Sequence, residues 1–168
     1  MNGAVMKNFV SPSAPFASAL VGDPELFVSE VDESDGSIAL YRPSVAVLTN
    51  ISLDHMAMDE LRLLFQGFLA AAGKSVLNLD DPETRLLADS LPTEQLIGYG
   101  FDSPAAKLVG RNLELLPDGV RFTVALDDEQ HEVSLQIPGR HNAMNALAAL
   151  GAVHALSVAI GDAASALG

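Results

Sequence analysis

The stretch Val45-Ala46-Val47-Leu48-Thr49-Asn50 decides the fold class of this chain. Four apolar residues follow one another and polar residues come directly after them, a pattern typical of a strand buried in a parallel sheet. The run Leu26-Phe27-Val28 lies shortly before it and is followed by acidic residues. The two runs predict neighbouring strands near residues 25–31 and 44–50, each ending in polar side chains.

The pattern downstream of these two runs first alternates between helix and strand and then changes to strands alone. The predicted elements are, in chain order, a helix over 59–72 with Asp59 as a possible N-cap, a strand over 75–79, a helix over about 80–91, a strand over 95–99, three period-2 strands over 106–116, 120–126 and 131–137, and a last helix opening at 138–142 with Met144, Leu147, Leu150, Val153 and Leu156 on its buried face. Alternating strands and helices are typical of a parallel sheet. Three successive strands with short connections are typical of an antiparallel meander. The sequence therefore predicts an α/β fold, a mostly parallel sheet with flanking helices plus an antiparallel β meander.

The composition narrows the classes of partner. The 168 residues suit one domain, and the formal net charge of −13 argues against nucleic acid or an anionic membrane surface. A nucleotide remains compatible, because Mg²⁺ and a few backbone amides can hold phosphate locally. The chain has no cysteine, and no segment approaches the roughly 18 apolar residues of a membrane span. These features fit a cytoplasmic protein without disulfides.

Acidic and imidazole side chains follow the first two predicted strands. Glu30 ends the first, with further carboxylates in residues 32–35, and Asp54-His55 follows the second. Ligands bind at the carboxyl ends of strands in open α/β sheets, and Mg²⁺ takes hard oxygen ligands from one or two carboxylates. These residues are therefore candidates for holding a divalent metal and, through it, a phosphorylated ligand. The alternatives are a solvated acidic loop and a structural histidine, the interpretation that we prefer for His131 and His154.

Two asparagines lie at the start of the last predicted helix. Asn142 and Asn145 are three residues apart, so they project from one helix face. An asparagine amide can pair with N6 and N7 of adenine. The alternative is an Asn142 N-cap followed by an ordinary helix residue.

Together these segments resemble the Mur ligase family, the ATP-dependent amide-forming enzymes of peptidoglycan synthesis. The resemblance rests on Glu30-Val-Asp-Glu-Ser-Asp35, Val47-Leu-Thr-Asn-Ile51, Asp54-His55-Met56, Asp80-Asp81-Pro82, Tyr99-Gly100-Phe101 and Pro138-Gly-Arg-His-Asn142 with Asn145. The Glu-x-Asp-Glu-Ser-Asp form points to the alanine-adding branch. The related murein-tripeptide recycling ligase tends to have Tyr where Ser34 stands.

The resemblance implies an activity and a set of residue roles. The activity would be the joining of L-alanine to UDP-N-acetylmuramate with ATP and Mg²⁺, through an acyl phosphate. Glu30 would bind the magnesium that bridges the ATP phosphates, and His55 a second metal or the acyl phosphate, which makes both catalytic candidates. Asn142 and Asn145 would contact the nucleotide, with Arg140 and His141 nearby.

Three departures from the family pattern limit this expectation. The Gly-Lys-Thr phosphate loop, the UDP-binding N-terminal domain and the C-terminal domain are all missing from residues 1–168, which would form a partial central ATP-binding domain, truncated at its N-terminal end and inactive alone. In addition to these three, Ala57 stands where the family's Asp-His-Met-Asp run would end in Asp. The alternatives are the tripeptide-recycling ligase or another Mur-like ligase, and a catalytically dead Mur-like binding module.

Overall fold

The computed structural model describes residues 25–34, 36–53 and 56–167. After a 3-10 turn at Ser37–Leu40, the elements are β1 (Val45–Leu48), α1 (Met58–Ala70), β2 (Lys74–Asn78), α2 (Pro82–Ala88), β3 (Leu96–Gly100), β4 (Leu108–Leu115), β5 (Val120–Leu126), β6 (Glu129–Leu135), α3 (Arg140–Ala155) and α4 (Ile160–Ala166). Among the helices of these ranges, none combines the length and the apolar character that crossing a membrane requires.

The strands form one six-stranded sheet in the order β1-β2-β3-β4-β5-β6. β1 to β4 run parallel to their neighbours, and β4, β5 and β6 pair antiparallel. The predicted α/β fold with a parallel part and a meander is therefore confirmed. β4 pairs with β3 only through Tyr99↔Leu108 and Gly100↔Val109. Because of this offset, the rest of the meander extends past the carboxyl ends of the parallel strands.

Each face of the sheet carries its own hydrophobic core. On one face, α1 buries Leu61, Phe65, Phe68 and Leu69 at helical spacing, together with side chains of β1, β2 and α2. On the other face, α3 and α4 cover the middle of the sheet and the meander, with Tyr99, Phe122 and Leu147 fully buried. Gly151 lets α3 approach the sheet closely, since a Cβ there would lie 2.7 Å from Cγ1 of Val76.

The strand predicted near residues 25–31 is wrong. Residues 26–33 have no regular secondary structure, and the side chains of Phe27 and Val28 are 86% and 85% exposed. A buried strand needs a hydrogen-bonded neighbour and cover on its faces, and within the described ranges β1 pairs with β2 alone. The apolar run has the composition of a strand, but no described segment pairs with it to form one.

Two details of the predicted helices also differ. Ala57, not Asp59, is the N-cap of α1, and Asp59 lies in the first turn, where its Oδ1 pairs with Arg62. Leu156 is the C-cap of α3 and is exposed, so the buried face ends earlier than the periodicity predicts. Pro82 does start α2, and the carboxylate of Asp81 caps it by accepting from two backbone N–H groups.

Candidate functional site

The carboxyl ends of β1 and β2 are joined by one side chain. Asn78, the last residue of β2, donates from Nδ2 to the carbonyl of Thr49 at 2.9 Å, just after β1. Its Oδ1 accepts the backbone N–H of Asp80 at 3.0 Å. Asn78 therefore fixes the two loops that leave this edge of the sheet, the edge at which open α/β sheets bind ligands.

The carboxylate of Asp80 binds the loop that follows β3. Its Oδ2 accepts the N–H of Phe101 at 2.7 Å, and its Oδ1 accepts those of Asp102 at 3.0 Å and Ser103 at 2.8 Å. The Asp80 side chain is only 14% exposed. Gly100 makes this approach possible, since a Cβ at that position would lie 2.4 Å from Oδ1. The side chain after β2 thus determines the course of the chain after β3.

Arg140 brings the start of α3 to the same loop. Its Nη2 lies 2.6 Å from Oδ2 of Asp102 and 3.7 Å from Oδ2 of Asp80. Its guanidinium carbon is 5.0 Å from the centre of the Phe101 ring, a cation–π distance. Arg140 is the first residue of α3, so these contacts place the helix N-terminus, with its partial positive charge, at the carboxyl edge of the sheet.

The predicted nucleotide residues lie in the first two turns of α3. The N-cap is Gly139, so the alternative in which Asn142 caps the helix is wrong. Asn142 instead donates from Nδ2 to the carbonyl of Pro138 at 2.8 Å. His141 and Asn145 are exposed, and no hydrogen bond to the Asn145 amide is present within the described part of the chain. Asn145 is therefore the amide best placed to reorient toward a ligand.

Tyr99 is a buried polar residue beneath this edge. Among the described residues, its hydroxyl is a buried side-chain oxygen without a hydrogen-bond partner. Burial raises the pKa of Tyr99 well above its ordinary value, and the negative charges of Asp80 and Asp81 raise it further. The hydroxyl therefore keeps its proton at physiological pH.

The structure describes only one of the two predicted metal ligands. Glu30 is exposed and follows an irregular segment, so it does not end a strand beside β1. His55, with Asp35 and Asp54, lies outside the described residues, and their role stays a prediction. In the ranges that the structure describes, no group of three or more His, Asp or Glu side chains could hold a metal ion. The described residues therefore do not assemble a magnesium site without a contribution from other parts of the protein.

Both histidines predicted to be structural lie away from this edge. His131 belongs to β6 and packs against Gly161 of α4, where a Cβ would lie 2.7 Å from its Cε1. His154 lies in the last turn of α3 and lines an open cavity of about 810 Å³ together with Lys74 and Lys107. The cavity adjoins the amino ends of β2 and β3, so it is separate from the candidate site.

Sequence reasoning missed the role of Asp80. The sequence predicts that Asp80-Asp81-Pro82 together begin a helix. Asp81 caps α2 and Pro82 starts it, whereas Asp80 binds the loop at 101–103. The available signal was position, because Asp80 follows β2 as directly as the predicted ligands follow their strands. The partner loop at 101–103 is more than twenty residues away in sequence, and periodicity gives no information about such a contact.

The chain is similar to a known family. Residues 7–153 match the family described as Mur ligase middle domain. The chain is 38% identical over 166 residues to a UDP-N-acetylmuramate–L-alanine ligase of Paenarthrobacter aurescens, covering 90% of this chain and 34% of that protein. It is also 38% identical over 164 residues to the ligase of that name in Streptomyces coelicolor, covering 92% and 35%. The chain thus spans about a third of the length of the curated relatives that it matches.

Solved structures show the same fold. MurF from Acinetobacter baumannii matches 78% of this chain and 30% of its own, with a TM-score of 0.67 and 22% identity. UDP-N-acetylmuramate-alanine ligase MurC from Thermotoga maritima matches 79% of this chain and 30% of its own, with a TM-score of 0.65 and 20% identity. At these identities, the likeness concerns the arrangement of the sheet and helices.

Proposed function

Because the chain belongs to the Mur ligase middle-domain family, we propose that the edge formed by the ends of β1 to β3 and the start of α3 binds ATP. The observation that carries the proposal is the position of Arg140, which brings the N-terminus of a 16-residue helix to that edge. Helix N-termini favour anions through their free N–H groups and partial positive charge. Mur ligases are ATP-dependent, so a nucleotide is the anion that this family requires.

Different residues of α3 would contact different parts of the proposed nucleotide. Both carboxylate contacts of Arg140 are made by Nη2, which leaves other N–H groups of the guanidinium able to face phosphate. Asn145 presents an exposed amide that can pair with adenine, and Asn142 retains its oxygen and one N–H for the ligand. His141 is exposed beside them. When bound, ATP supplies the phosphoryl group that activates a substrate carboxylate for attack by an amine.

For the whole protein we propose the activity of the relatives that share 38% identity with this chain, the joining of L-alanine to UDP-N-acetylmuramate in the bacterial cytoplasm. Ser34, in place of tyrosine, supports the alanine-adding branch. Glu30 and His55 remain the proposed ligands of Mg²⁺. The alternatives are a murein-tripeptide ligase and a Mur-like module without activity, which Ala57 favours.

An assay of the complete open reading frame that encodes this chain tests the proposal. We expect ADP release that needs both UDP-N-acetylmuramate and L-alanine, and a loss of most of that rate in Glu30→Ala. His131→Ala is the control, since this residue belongs to β6, three strands from β3, and packs on α4. Preference for a tripeptide over L-alanine would identify the recycling ligase, and no ADP release with either amine would identify a binding module.

A further inference from the structure

We propose that Asp80 is a positioning residue for the nucleotide, one that acts by holding Arg140 in place. The proposal rests on the proposed ATP site and adds a residue to which neither the sequence nor the comparisons assign a role in ligand binding. Asp80 lies after β2, a different element from the helix that would contact the ligand. Its influence would therefore pass through the loop after β3.

The first step is the loop. The backbone N–H groups of Phe101, Asp102 and Ser103 all point at the Asp80 carboxylate, within 2.7 to 3.0 Å. Hydrogen bonds to a charged acceptor are stronger than those between neutral groups. An apolar side chain at position 80 would leave these N–H groups without their acceptor, and the loop would lose what fixes its course.

The second step is the arginine. Asp102 and Phe101, which contact the guanidinium of Arg140, both belong to the loop that Asp80 holds, and Asp80 itself is the third contact. The Arg140 side chain is 45% exposed, so few other contacts restrict it. Release of the loop would let Arg140 leave the carboxyl edge, and the phosphate contact proposed for it would weaken.

The sign of the effect separates positioning from simple electrostatics. Asp80 is negative, and removal of a negative charge near an anionic ligand should strengthen binding. Positioning predicts the reverse, that Asp80→Ala weakens binding. Asp81 provides a matched control, because it is the adjacent carboxylate and also accepts two backbone N–H bonds, from Glu83 at 3.1 Å and Thr84 at 2.9 Å. Those bonds cap α2 and do not hold Arg140.

The test is Mg·ATP binding to the ¹⁵N-labelled chain, followed by NMR because shift changes report even millimolar affinity. We expect Asp80→Ala to raise the Kd about tenfold, the loss of one charge-assisted contact. Asp81→Ala should leave the Kd unchanged. In an Arg140→Ala background, Asp80→Ala should have no further effect, because both substitutions remove the same contact. Asp80→Asn, which keeps an acceptor oxygen, should show a smaller loss and replaces Asp80→Ala if that variant does not fold.

Each other outcome is decisive. An unchanged or lower Kd in the Asp80 variant overturns the positioning role. An equal loss of affinity from Asp80→Ala in the unsubstituted chain and in the Arg140→Ala background overturns it as well. A loss in Asp81→Ala as large as in Asp80→Ala would show a general effect of destabilisation and would also overturn it. No binding by the unsubstituted chain would overturn the ATP site itself and this role with it, whereas binding that Asp80→Ala leaves intact would overturn only this role.

Discussion

Replacing the two asparagines of α3 separates a structural from a recognition role. Asn142→Ala removes the hydrogen bond from Nδ2 to the carbonyl of Pro138, a 2.8 Å contact at an exposed position. Such a bond contributes about 1 kcal/mol to stability, and the better helix propensity of Ala returns about 0.5 kcal/mol. We therefore expect a net loss of about 0.5 kcal/mol, a fall in Tm of about 1–2 °C for a chain of this size. Asn145→Ala breaks no hydrogen bond of the described structure and should be neutral or slightly stabilising.

For nucleotide binding we expect the larger effect from Asn145→Ala, the variant with the smaller effect on stability. If Asn145 pairs with N6 and N7 of adenine, Asn145→Ala should weaken ATP binding by about 1 kcal/mol or more, at least fivefold. The same substitution should weaken GTP binding much less, because guanine presents O6 in place of the N6 amino group of adenine. Asn142→Ala should weaken ATP binding less than Asn145→Ala does, because the Pro138 carbonyl already takes one of its N–H groups.

The assays are urea unfolding for stability and titration with Mg·ATP and Mg·GTP for recognition. Gln66→Ala is the matched control, an exposed amide on α1 outside the candidate site. Equal losses for ATP and GTP in Asn145→Ala would show that the residue does not read the base. An unchanged ATP affinity in both asparagine variants would refute the recognition role altogether.

Three further predictions concern ATP hydrolysis, the close packing at Gly100 and the ion pair of Glu83. The 168-residue chain should release no more phosphate from ATP than its Glu30→Ala variant, measured by a phosphate assay, because its sequence contains no phosphate loop to position the transferred group. Gly100→Ala should cost about 1–3 kcal/mol in urea unfolding, since the new Cβ would lie 2.4 Å from Oδ1 of Asp80. Arg62 holds the pKa of Glu83 below its ordinary value. The ion pair therefore stabilises the fold at pH values above the ordinary pKa of Glu, and this contribution is lost as the pH falls through the lower pKa of the folded state. The free energy of unfolding, measured between pH 7 and pH 3, should depend less on pH in Glu83→Gln.

Local pattern was sufficient for most of the fold. The run at 45–48 became β1 and the helical spacing from Leu61 to Leu69 became the buried face of α1, because burial there follows directly from period. The same reasoning failed at Leu26-Phe27-Val28, where composition resembles a strand but no described neighbour pairs with it. It also missed α4, whose seven residues are mostly Ala and Gly and carry too little periodicity to indicate a helix.

The candidate site could be predicted only in part. The start of α3 was found because its residues are adjacent in sequence and share a helix face. The contact between Arg140 and Asp102 spans 38 positions and depends on how β3 and α3 end up side by side, which is a property of the tertiary structure. Asp80 was missed for the same reason, since its function lies in a loop that the sequence does not place beside it.

The proposed nucleotide site lies at the start of α3 and the strand ends beside it. The most direct measurement is the map of backbone and side-chain shift changes when Mg·ATP is added to the unsubstituted ¹⁵N-labelled chain. We expect the largest changes on residues 139–146, on the Asn145 side-chain amide and on the loop at 101–103. Changes centred on the cavity beside Lys74, Lys107 and His154, or no saturable change at all, would contradict it.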